Sequence, residues 1–204
     1  MIIPPTINVD PFGFDCYYCL PEWYEEARAD QKVLMNYFGL YRTQVHIILL
    51  YHKNVVSEQW KKMCGSIEAV VFNTHATPSH LSSDNPYFKI DSSYVSKLGK
   101  KNIKSMILLG CNAGHLDHSN NIASCFAKKF GNITSIMASD GTVSPRSFWG
   151  YYNSKNDETF QQYRPSNSRR NNSGWIIYKS NIIYKGFGKS LRMKQMLSYL
   201  KQYA

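Results

Sequence analysis

The feature that most constrains this chain is a repeated alternation. Short, nearly continuous apolar runs are separated by stretches with helical spacing and helix-ending signals. The runs lie at residues 45–51 (VHIILLY), 67–74 (IEAVVFNT), 104–110 (KSMILLG) and 133–138. Runs of this length without polar alternation mark strands buried on both faces. Between them, helices are expected over 22–38, 57–64, 92–98 and 119–130. Pro21 precedes the first, acids crowd its opening turn, and Gly39 closes it. Ser57 caps the second and Gly65 stops it; Ser119 caps the last, in which Ile122, Ala123, Phe126 and Phe130 share one face. Strands and helices taken in turn define an α/β fold with a mostly parallel central sheet, helices on both faces and right-handed crossovers. The strand at 104–110 is expected between those at 67–74 and 133–138.

The flanks are read more coarsely. Residues 1–20, rich in Pro, Gly and aromatics, suggest an irregular lead-in. The expected division is a lead-in and helix over 1–42 and the main domain over 43–204. Residues 144–172 are polar and are expected to be loop-rich. Residues 175–178 and 181–184 suit a hairpin around Lys179 and Ser180, followed by a helix that Ser190 caps and that carries Leu191, Met196, Leu197 and Leu200. The 204 residues suffice for one core, and 43% hydrophobic content excludes a disordered chain. No apolar run approaches the ~20 residues a membrane helix needs, so no membrane span is expected. The N-terminus lacks a basic segment followed by a long apolar one, so no cleavable secretory signal is expected. The protein is then cytoplasmic, or it leaves its cell by a route that needs no such signal.

Five cysteines, at 16, 19, 64, 111 and 125, make an odd and scattered set. That fits a reducing compartment better than a disulfide framework. Cys16 and Cys19 form a CxxC, but no second pair exists to complete a zinc site, so they read as packing cysteines. Net charge is +10, and after Asp140 eleven Lys and Arg face only Asp157 and Glu158, a net +9. Such a basic third is either a solvated face or a site for a polyanion. Arg169, Arg170, Lys179 and Lys185 are the contacts expected in the second case.

In open α/β sheets, ligands bind at the carboxyl ends of the strands. His75 follows one apolar run and Cys111 follows the next. On neighbouring strands ~4.8 Å apart, both side chains would emerge on one rim. A thiol and an imidazole so placed make a nucleophile with its acid–base partner. The turn Gly110–Cys111–Asn112–Ala113–Gly114 can bend sharply and aim N–H groups at a developing oxyanion. The Cys111 amide and the Ala76 amide are the natural donors, with Gly110 shaping the turn. Ser139 and Asp140 end the following strand, where an acid could line a substrate pocket and select a basic residue before the scissile bond. His115, Asp117 and His118, in GHLDH, read as a polar loop, and no metal is expected there.

The segments VVFNTHATPSHL and MILLGCNAG resemble the two catalytic motifs of the caspase-like (clan CD) cysteine peptidases. The flavour is that of the self-cleaving protease domains of large bacterial toxins and of polymorphic toxin and effector proteins. SIMASDGTV resembles the strand after the nucleophile in those domains, and SGWIIYKSNIIYKGF their C-terminal hairpin. The resemblance spans roughly 43–190. It implies a caspase-like sandwich ending in a β-hairpin plus helix, with His75 as catalytic histidine and Cys111 as nucleophile. Where the family places Gly after its histidine, this chain has Ala76. Some members orient the histidine with an upstream acid, for which Asp15 and Asp91 are the candidates here. The resemblance further implies no required cofactor, inositol hexakisphosphate as a possible activator at the basic third, a protein or peptide substrate, and a cognate immunity or inhibitor protein. It also implies delivery to the cytosol of a target cell. The expected function is a cysteine endopeptidase acting as a bacterial toxin or effector through a thioester acyl-enzyme. The alternatives are a caspase-like binding module without activity and a metal-dependent nuclease, the latter suggested by clustered histidines and basic charge.

Overall fold

The computed structural model describes residues 15–63, 65–85, 87–132, 134–145, 160–164, 173–188 and 190–203, with the backbone alone over 144–145 and 160–164. Its first half contains β1 (Asp15–Cys19), α1 (Tyr24–Phe38), β2 (Val45–Leu49), α2 (Lys53–Lys62), β3 (Ser66–Asn73), β4 (His75–Thr77), β5 (His80–Ser82), β6 (Lys89–Asp91) and α3 (Ser92–Lys97). The second half contains β7 (Asn102–Leu108), α4 (Ile122–Phe130), β8 (Ser135–Ser139), β9 (Thr142–Pro145), β10 (Phe160–Arg164), β11 (Trp175–Lys179), β12 (Ile182–Tyr184), β13 (Ser190–Arg192) and α5 (Met193–Gln202).

Seven strands form the central sheet in the order β12-β11-β8-β7-β3-β1-β2. The run from β2 to β8 is parallel throughout, and β11 and β12 close the sheet antiparallel. The protein is therefore a mixed α/β fold with a mostly parallel sheet, and β7 lies between β3 and β8 as expected. Two small antiparallel sheets stand beside it, β4-β5-β6 and β13-β10-β9.

Strand residues alternate between two cores. Val70, Phe72, Met106, Leu108, Ile136 and Ala138 face one, where Val56 and Trp60 of α2, Val95 of α3 and Phe126 of α4 cover them. Val71, Ile107, Met137 and Ile177 face the other, under Leu34 of α1 and Met196, Leu197 and Leu200 of α5. Both faces of the sheet are covered over its central strands, which is why those strands read as unbroken apolar runs. The helices after β1 and after β7 lie on opposite faces. Right-handed crossovers do this when the chain reverses its direction of travel across the sheet. The reversal falls between β1 and β3, the switch point of a doubly wound sheet.

Four expectations need correction. Residues 15–19 are not an irregular lead-in but a fully buried strand between β2 and β3. The tyrosines in DCYYC disguised it. Tyr17 Oη donates to Asp30 Oδ2 at 2.7 Å and accepts from Asn73 Nδ2 at 3.2 Å, so its hydroxyl is satisfied inside the core. Tyr18 stacks on Phe72. As a result, a boundary at 42/43 cuts through one sheet and both of its cores. Second, α2 starts at Lys53, and the Ser57 hydroxyl back-bonds to the Asn54 carbonyl instead of capping. Third, α4 is capped by Asn121, whose side chain accepts from the Ser124 amide, and not by Ser119. At the C-terminus, Arg192 precedes α5, and Ser190 begins a short strand. The expected hairpin is present, with Ser180 at φ 54 in its turn.

Candidate functional site

His75 and Cys111 follow β3 and β7, which are neighbouring parallel strands, so both lie at the same carboxyl rim. Their neighbours in the chain approach closely. A Cβ built on Gly110 would come within 2.4 Å of the Ala76 Cβ and 3.0 Å of the Thr74 carbonyl. Gly110 therefore lets the two backbones touch, and the volume it omits is where the Ala76 methyl sits. Ala76 lies in the extended strand β4, outside the left-handed region, so its side chain causes no backbone strain.

The Cys111 turn is heavily anchored. Asn112 adopts φ 58, a left-handed conformation that asparagine tolerates better than most residues. Its amide donates to the Gly141 carbonyl at 2.7 Å, and the Gly114 amide donates to the Ser139 carbonyl at 2.8 Å. These two amides are thus committed and unavailable to an oxyanion. The Ser139 hydroxyl, fully buried, lies 2.8 Å from the Gly110 carbonyl and 2.9 Å from the Gly141 carbonyl. Cys111 Sγ is half-buried against β9. It accepts from the Val143 amide at 3.3 Å, and its S–H donates to the Val143 carbonyl at 3.5 Å.

His75 is held differently. Its ring packs edge-on against Trp23 with centroids 4.9 Å apart, and Nε2 lies 3.6 Å from Asp84 Oδ1. Glu22 completes a group of three exposed side chains whose ligand atoms lie within 4.8 Å of one another. Among the described residues, no hydrogen bond joins Cys111 to His75. The thiol turns toward β9, and the imidazole turns toward the residues that follow β1.

The remaining expected residues fall into place around this rim or away from it. Asp140 is fully buried, and its two oxygens accept from the Leu116 amide at 2.9 Å and the Ser173 amide at 2.8 Å. It ties together the loop after the nucleophile and the lead-in to β11, so it does not present an open charge to a basic substrate residue. Ser139 likewise fixes the turn through the Gly110 and Gly141 carbonyls. His115 and His118 stack edge to face at 4.9 Å, and both their carbonyls accept from the buried Asn121 side chain, so the GHLDH segment is a knitted loop. His80 Nδ1 contacts the Ser79 and Thr77 hydroxyls, and burial lowers its pKa. Neither proposed orienting acid is near His75. Asp91 caps α3 through the Tyr94 amide. Asp15 begins β1 and accepts from the Glu68 amide, at the opposite rim.

Cys16 and Cys19 are buried on opposite faces of β1, one in each core, so they cannot share a metal. Burial pushes the Cys19 thiol up to about 12 and the Cys16 thiol higher still. Of the expected polyanion contacts, Lys179 pairs with Ser135, the start of β8, and so lies at the rim opposite Cys111; burial lowers its pKa. Lys185 is exposed just past β12. Arg169 and Arg170 lie outside the described residues.

Sequence reasoning missed Glu22, Trp23, Asp84 and Val143. Recognising β1 as a strand would have brought the first two to the rim, since they follow it directly. Asp84 and Val143 carry no local signature. Compared with known proteins, the chain matches no family model and no curated sequence.

Proposed function

We propose that the chain is a caspase-like cysteine peptidase in which Cys111 attacks the scissile carbonyl and His75 moves the proton. The observation that carries the reading is the contact of Gly110 with Ala76, which brings the ends of two neighbouring parallel strands, one followed by an imidazole and one by a thiol, to a single point on the rim. The two contacts of Sγ with the Val143 main chain add support, because they hold the sulfur at a fixed place beside the turn. With the Asn112 and Gly114 amides committed elsewhere, the Cys111 and Ala76 amides are left as oxyanion donors.

In this reading, the Cys111 thiolate adds to the carbonyl carbon, and the oxyanion settles toward the two amides. His75 protonates the leaving amine, the C–N bond breaks, and a thioester remains. A water that gives its proton to His75 then hydrolyses the thioester and restores the thiol. The imidazole must swing from Trp23 and Asp84 toward the thiol when substrate binds. Catalytic contacts that are long in a free enzyme commonly tighten in the complex. The biological setting we propose is a toxin or effector whose substrate is a protein of the target cell, with a polyanion as a possible activator.

The test is turnover of a mixed peptide library by the chain and by Cys111→Ala, His75→Ala and the double variant. Each single change should remove nearly all activity, and the double should lose no more than either, because the pair acts as one unit. EDTA should leave turnover intact. Full activity in Cys111→Ala would overturn the reading.

A further inference from the structure

Glu22, His75 and Asp84 converge from three separate places in the chain, the residues after β1, after β3 and after β5. Their position is the switch point between β1 and β3, where doubly wound sheets open the crevice that takes ligands. Two carboxylates and an imidazole within 4.8 Å of one another offer three ligand atoms to a single point. The distance from His75 Nε2 to Asp84 Oδ1, 3.6 Å, is longer than a hydrogen bond. It is close to the ~3.4 Å that separates two N or O ligands bound at ~2.1 Å to one tetrahedral ion. Trp23 packs edge-on to the imidazole and fixes the plane in which Nε2 points.

We propose that these three side chains form a site for a divalent transition-metal ion of the zinc type, held by one imidazole and two carboxylates with the fourth position left to water. Imidazole and carboxylate oxygen are ordinary zinc ligands, and a hard ion such as magnesium would not choose a nitrogen. Metal bound there occupies Nε2 and pins His75 away from Cys111. The ion therefore switches the peptidase off and is not its cofactor. This regulatory step rests on the peptidase reading; the binding step does not.

The experiment uses Co²⁺ as a spectroscopic probe and Zn²⁺ as the inhibitor, on the intact chain and on Cys111→Ala. One equivalent of Co²⁺ should bind to both proteins and give visible d–d bands without the near-ultraviolet charge-transfer band of a thiolate ligand. Glu22→Gln and Asp84→Asn should each weaken binding by at least roughly tenfold. Zn²⁺ should inhibit peptide turnover by the unaltered chain, and Asp84→Asn should need a correspondingly higher concentration. Unchanged affinity in both variants, or a thiolate band that vanishes in Cys111→Ala, would overturn the proposal. If no peptide is ever cleaved but metal binds with the stated losses, the site stands and the peptidase reading falls. If peptides are cleaved and no metal binds, the site falls and the peptidase reading stands.

Discussion

The two arms of the candidate site are built in opposite ways. The Cys111 turn is bound on every side: Asn112 and Gly114 donate to Gly141 and Ser139, Ser139 reaches the Gly110 carbonyl, and Val143 meets the sulfur. The His75 arm leaves the sheet on a short strand, with about half of its side chain exposed, held by a ring contact and one long ion pair. A nucleophile must be presented at a fixed place, whereas a proton carrier must reach two different atoms during a reaction. The contrast teaches that preorganisation at this rim was spent on the sulfur. Gly110 against Ala76 is where the arms meet among the described residues, and perturbing it should have the largest effect.

Gly110→Val places a branched side chain where the Ala76 methyl and the Thr74 carbonyl already are. Overpacking of this kind costs about 3 kcal/mol. The urea midpoint should fall accordingly, and any turnover should vanish. Ala76→Gly, added to the smaller Gly110→Ala, should recover part of the loss, because it removes the nearer of the two clashes. A cycle showing no coupling between the two positions would mean that the arms do not touch.

Asp140→Ala tests the anchored arm alone. It strands the Leu116 and Ser173 amides inside the protein, at about 2–3 kcal/mol for the pair. Any preference for a basic residue before the scissile bond should be the same in Asp140→Asn as in the unaltered chain, since the carboxylate faces amides. A preference that disappears in Asp140→Asn would restore the pocket role.

Asp15, on the opposite rim, offers a pH measurement that should leave the site untouched. Burial raises its pKa from 3.8 to about 7, against the pull of the Ala69 and Glu68 amides. The folded state therefore holds a proton that the unfolded chain has released between about pH 4 and pH 7. Its contribution to stability is greatest below that window, falls as pH rises through it, and levels off above, at no more than about 1.4 kcal/mol per pH unit. The difference in urea midpoint between the chain and Asp15→Asn should follow this course, and a flat difference would show that the group ionises normally.

These cases also show what was legible in the sequence. The strands at β3, β7 and β8 could be read because parallel strands under two helical layers need apolar side chains at every position. The rim positions of His75 and Cys111 followed from that. β1 could not be read the same way, because Tyr17 is acceptable in the core only once Asp30 and Asn73 meet its hydroxyl. The amide partners of Asp140 were illegible for a similar reason: they stand 24 and 33 residues away. Local pattern reports which face of an element is buried. It does not report which distant amide satisfies a charge, nor that Glu22 and Asp84 meet beside His75.

The smallest expected effect belongs to Ser139, beneath the nucleophile. Its hydroxyl lies between the Gly110 and Gly141 carbonyls, acceptors that tolerate the loss of one donor better than a stranded amide would, so Ser139→Ala should cost only about 1 kcal/mol. The chemical effect should exceed the structural one. With the turn less tightly fixed, Sγ is presented at the rim less steadily, and iodoacetamide should label Cys111 a few-fold more slowly. Cys125 provides the internal standard, because it is partly exposed, its thiol is already pushed up by burial, and it lies on α4, away from the turn. Its labelling should not change, and Cys16 and Cys19 should remain unlabelled while the fold holds. Equal slowing at Cys111 and Cys125 would mean that the substitution loosens the whole protein. Unchanged labelling at Cys111 would mean that the turn holds its sulfur without Ser139, and that the contrast between the arms rests on the main chain alone.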